Sequence, residues 1–152
     1  MIMKKLIFAL ILGFLAIQFE TQAACTIKYK SNLRGDATTH SSIVSALPKY
    51  TPLVILEKNG DWFKVKGMKF EGWLFHSLLD ENLECMSLKD TANAFCPTKN
   101  EQHKRAIEYN EGFKVLRKEI GCNLVLDRNR RQLWLNNTNV FPETASMKIR
   151  FN

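Results

Sequence analysis

The chain has 152 residues, 22 Lys and Arg against 15 Asp and Glu, a formal net charge of +7, and 45% hydrophobic residues. That composition is too apolar for a disordered tail and too short for more than one or two small domains. A moderate basic excess favours acidic partners such as anionic polymers or membrane surfaces, without the dense basic stripe that nucleic-acid binding needs.

Residues 1–23, MIMKKLIFALILGFLAIQFETQA, place Lys4 and Lys5 before an apolar run from Leu6 to Phe19 and end in small residues. This is the order of a signal peptide, cleaved after Ala23; the run is short for a bilayer span, and Glu20 closes it. Removal takes away Lys4, Lys5 and Glu20, which reduces 22 basic and 15 acidic side chains to 20 and 14 and the net charge from +7 to +6. A periplasmic or secreted location follows, with no membrane span in the mature protein and no nucleic-acid partner.

All four cysteines, Cys25, Cys85, Cys96 and Cys122, survive that cleavage, and an even count in an exported chain of this size points to two disulfides. Three pairings are open. A zinc site is disfavoured, because there is no C-x-x-C pair and His40, His76 and His103 are scattered.

Ile43, Val44 and Leu47 read as a strand that enters a turn at Pro48. The clearest stretch follows, Leu53 to Leu79. Leu53–Glu57 is an apolar strand, Asn59-Gly60 a hairpin turn, and Trp62–Lys66 the returning strand. Gly67 punctuates the chain, Glu71–Phe75 forms a third strand, and His76–Leu79 closes the meander with a helical turn.

The two halves of the chain match at an offset of about 60. Ala46-Leu47 falls on Ala106-Ile107 and Leu53–Lys58 on Phe113–Lys118; one residue further on, Gly60 meets Gly121, Phe63 meets Leu124, and Trp73-Leu74 meets Trp134-Leu135. The chain therefore reads as a tandem repeat of short strands: residues 24–80, then residues 85–152, joined by Asp80 to Glu84. Each unit is all-β, a small barrel or sandwich. Asn100 to Tyr109 has a helical composition, but its place in the repeat assigns it to strand and loop. Cys25 and Cys85 open the two units at equivalent places, which favours pairing them with each other and Cys96 with Cys122. A unit this small needs such staples, since its own core is marginal.

The residues Asn32-Leu33-Arg34, Ser42-Ile43-Val44, Gly60-Asp61-Trp62 and Gly72-Trp73-Leu74, in that order, resemble a bacterial Src homology 3 domain over about fifty residues. The tandem arrangement behind a signal peptide resembles an exported subfamily with two such barrels. The second unit departs from the pattern: Asn93-Ala94-Phe95 replaces N-L-R, Asn123 replaces the first tryptophan, and Leu133 the glycine before Trp134. The resemblance implies an exported, non-catalytic binding or targeting module for peptidoglycan or another cell-wall component. The alternative is an envelope adaptor that binds an extended segment of a partner protein.

No catalytic constellation is legible. His76-Ser77 are strand neighbours whose side chains diverge, His40-Ser41-Ser42 is a polar loop, and the cysteines are expected to be oxidised; no enzyme, metal or cofactor is expected. The candidate binding residues are Arg34, Tyr50, Trp62, Trp73 and Phe75, with Tyr29 as a further aromatic. Aromatic faces bury area at small entropic cost, and Arg34 adds a fixed cation. Alternation sends half of the strand aromatics inward: Trp73, between Gly72 and Leu74, reads as core, whereas Phe63 reads as core and leaves Trp62 outward.

Overall fold

A computed structural model describes residues 22–99 and 104–143. The first part of the chain forms β1 (Gln22–Thr26), β2 (Lys30–Arg34), β3 (Ile43–Pro48), β4 (Pro52–Asn59), β5 (Trp62–Lys66), β6 (Glu71–Phe75), a single 3-10 turn at His76–Leu78, and β7 (Leu79–Asp80). The second forms β8 (Cys85–Leu88), β9 (Phe113–Glu119), β10 (Cys122–Leu126), β11 (Gln132–Asn136) and β12 (Val140–Phe141). The fold is all-β, as expected.

The expected meander is present. Gly60 takes φ 57° in the β4–β5 turn, a conformation that suits glycine, and the two strands then pair antiparallel. Gly72 serves a different end: a Cβ there would lie 2.8 Å from both the Arg34 carbonyl oxygen and a Leu33 side-chain carbon, so its absence lets β6 lie against β2. Alternation fills the core beneath. Leu33, Leu53, Val65 and Leu74 are wholly buried, with Phe63 packed against them, and each such leucine contributes on the order of 2 kcal/mol by burial.

Strand order in the first sheet is β3-β2-β6-β5-β4-β1-β7 and in the second β11-β10-β9-β8-β12. The second order reproduces the last five strands of the first. Among the described residues it has no counterpart of the β2–β3 hairpin; there Phe95 makes one bridge to Leu135, and residues 104–108 run without regular structure. The closed barrels expected from the sequence are not formed in hydrogen bonding: among the described residues each sheet is an open ladder, ending in β3 and β7 in one and in β11 and β12 in the other. The second core is Phe113, Val125, Leu133 and Leu135.

The ladder also corrects the residue match between the halves. Asn59 faces Trp62 across the β4–β5 turn, and Glu119 faces Cys122 across the β9–β10 turn. Cys122, not Asn123, thus holds the ladder position of Trp62, and the buried Asn123 holds that of Phe63. The one-residue slip arose because the turn glycine is first of the two turn residues in one hairpin and second in the other.

The cysteines pair as Cys25–Cys85 and Cys96–Cys122. Cys25 and Cys85 form a buried cluster with Tyr50, flanked by Leu83 and Leu126, where the two sheets meet. Gly112 closes this junction, since any Cβ there would overlap the Tyr50 carbonyl. The expected signal peptide lies outside the described residues except for Gln22 and Ala23, which belong to β1 and face Ile55 and Val54. Among the described residues, no helix is long and apolar enough to cross a membrane.

Candidate functional site

Antiparallel pairing puts directly opposed side chains on one face of a sheet. Trp62 opposes Phe75, Lys64 opposes Trp73, and Trp73 opposes Arg34 on the other side of β6. Four of the five candidate residues, Arg34, Trp62, Trp73 and Phe75, therefore share the outer face of the β2-β6-β5 ladder. All four are half-buried, and the inward face is taken by Leu33, Val65 and Leu74.

The core assignment of Trp73 is thereby corrected. On a pleated strand its neighbours Gly72 and Leu74 both point inward, so flanking apolar residues argue for an outward tryptophan. Trp62 stands edge-on to Phe75, ring centroids 5.5 Å apart at 79°, and His76 lies 4.8 Å from Phe75. The imidazole also reaches to 3.8 Å from Asp61. Lys64 was missed as a site residue, although its spacing of two from Trp62 already put it on this face; it pairs with Glu71 at 3.3 Å. Phe63 packs against the core as expected and carries Lys58 above its ring at 4.6 Å.

Arg34 has a job within the fold. Its guanidinium donates hydrogen bonds to the Thr39 and Ser41 carbonyls at 2.9 and 2.8 Å, which ties the β2–β3 loop down beside the aromatic face. Tyr50 is not brought to this face. It is 7% exposed, has φ 68°, and packs at the junction cluster, so its ring belongs to packing and not to a ligand surface. Tyr29 is exposed but lies in the turn between β1 and β2.

The same face of the second sheet is arranged otherwise. Trp134 opposes Leu124, and two cations cover its ring, Lys99 at 4.3 Å and Arg117 at 4.9 Å. Glu119 pairs with both cations, at 3.2 and 3.3 Å. Where the first sheet has Trp62 and Phe75 facing each other, this one has Cys122 and Asn136.

For chemistry, Ser41 Oγ is spent on the Asp36 and Thr38 carbonyls, and among the described residues no three His, Cys, Asp or Glu side chains converge as metal ligands. What the first outer face offers is flat aromatic area bordered by Lys64 and Arg34, suited to binding. No curated protein matches the chain. Residues 30–80 match the bacterial SH3 domain family, a family of binding modules, and this match contains β2 to β7 and every residue of the aromatic face.

Proposed function

We propose that this chain is an exported, non-catalytic binding module that holds a cell-wall polymer, peptidoglycan first among them, against the outer face of the β2-β6-β5 ladder. One observation carries the reading: the ladder gathers Trp62, Phe75 and Trp73 on a face that the core does not use, beside Arg34 and Lys64. Stacked rings hold sugar or peptide-stem surface, and the two cations complement the polymer's carboxylates. Residues 1–23 are its signal peptide and place it in the periplasm or outside the cell. Residues 24–80 are the binding unit; residues 85–152 are a second, reduced copy of the same unit that supports it.

The test is co-sedimentation of the mature protein with isolated peptidoglycan at low and moderate salt. Sedimentation should survive moderate salt and fall about tenfold in affinity on Trp62→Ala, the scale of one anchor residue. Binding that vanishes with salt means only that a basic protein met an acidic polymer. Retention of the Trp62→Ala variant as strong as the unaltered protein would sink this site.

A further inference from the structure

A groove of about 1050 Å³ runs between the two sheets, and no residue of the aromatic face is among its lining residues. Ala24 and Val54 of β1 and β4 form one wall; the β9–β10 hairpin, with Val115 and Ile120, forms the other; Leu83 and Met86 lie between them. Its volume is at the upper end for small-molecule pockets, and it is partly open to solvent. Its lining mixes apolar with charged and amide side chains. Ile120 at the hairpin tip is fully exposed.

The charged side chains of the lining are mostly acidic. Glu81, Glu84, Glu119 and Glu143 line it with one lysine, Lys118, which pairs with Glu84. In a protein of net charge +7 this bias is local. Glu81, Glu119 and Glu143 are also ion-paired, with Lys58, Lys99 and Lys89, but those lysines are not among the lining residues, and solvent-exposed pairs of this kind are weak enough for a ligand cation to replace the lysine. A further polar group points to a chain-like occupant. Asn123 is 3% exposed and lines the groove; its Oδ1 accepts from Asn137, but its amide nitrogen has only the Met86 thioether, a weak acceptor, at 3.2 Å. A backbone carbonyl would satisfy that donor better.

We infer that this groove takes an extended peptide segment of a partner protein in which lysine or arginine alternates with apolar side chains. The apolar side chains face Val54, Val115 and Met86, the cations meet the glutamates, and a carbonyl accepts from Asn123. This site is separate from the aromatic face and goes beyond the wall-binding reading.

The experiment is fluorescence anisotropy of the full mature protein with a labelled short peptide that alternates lysine and valine. Two control peptides replace lysine by glutamate or valine by serine. The lysine–valine peptide should bind with micromolar affinity, the valine-to-serine control at least about tenfold more weakly, and the glutamate control not at all. Val54→Lys should abolish binding, and Glu84→Gln, which leaves Lys118 unpaired in the groove without touching the core, should weaken it about tenfold. Trp62→Ala should leave it unchanged, so loss of wall binding and loss of peptide binding read out separately. Equal binding of the lysine and glutamate peptides, or full binding by folded Val54→Lys and Glu84→Gln variants, would overturn the proposal.

Discussion

One ladder position holds Trp62 in the first sheet and Cys122 in the second, and its cross-strand partner is Phe75 in one and Asn136 in the other. The first sheet keeps the β2–β3 hairpin and thereby a third strand to carry its aromatic face. Among the described residues the second has no such hairpin and holds the corresponding segment by other means. Cys96 is bonded to Cys122, its N–H donates to the Trp134 carbonyl, and Arg105 binds Glu111 and Asp127 across the core edge. The same place in a sheet can thus serve recognition or anchorage. A cysteine used to tie down an irregular segment leaves no room for an aromatic contact.

The largest way to break this contrast lies in the anchor of the second sheet. Asp127 is wholly buried, accepts from the backbone N–H of Asn129 and Arg131, and pairs with Arg105 at 2.9 Å. Asp127→Ala should cost about 3 to 5 kcal/mol in chemical denaturation, because it strands these donors and part of a buried charge network. The pH dependence has a definite sign. Burial pushes the Asp127 carboxyl up, but the Arg131 N–H, the Arg105 guanidinium and the Asn129 N–H outweigh it and hold the carboxyl below its ordinary value. Its contribution is therefore complete above the unfolded value near pH 4 and is lost as pH falls through the lower folded value. Acid titration followed by tryptophan fluorescence should show this loss, and Asp127→Asn should remove that part of the acid dependence.

A smaller effect tests the first sheet. Gly72→Ala should cost about 1 to 3 kcal/mol, since its Cβ meets the Arg34 carbonyl and Leu33, and it should loosen the aromatic face with it. Thermal melting gives the cost, and amide exchange on β2 and β6 locates it. The smallest effect separates the two tryptophans. Trp62→Ala should change stability by no more than about 1 kcal/mol while it weakens the proposed wall binding about tenfold. Trp134→Ala, which uncovers Lys99 and Arg117, should leave wall binding intact.

Much of this was legible in the residues. Asn59-Gly60 marked its hairpin, Trp62–Lys66 and Glu71–Phe75 were found with their observed limits, and the equivalence of Cys25 and Cys85 anticipated their bond. What escaped depended on long-range pairing. Trp73 was misjudged because glycine and leucine beside it were taken as signs of its own burial, when in a strand they mark the opposite face. Tyr50 looked like an anchor, and only the approach of Gly112 from the other sheet shows that it is enclosed. The Arg105–Asp127 pair spans 22 positions and has no pattern in sequence. The short strands β7 and β12, two residues each, are below the resolution of alternation.

The pairing of the four cysteines has a consequence for how the protein is made. Cys25 joins Cys85, the next cysteine in the chain, and Cys96 joins Cys122, the next after that. A chain that crosses a membrane from its N-terminus exposes its thiols in this same order, so an oxidant acting on each pair as it emerges reaches the native connectivity directly. No thiol has to wait past its neighbour. In a chain exported as proposed, the junction between the two sheets is thus fixed by the first bond formed, before the rest of the second sheet is delivered.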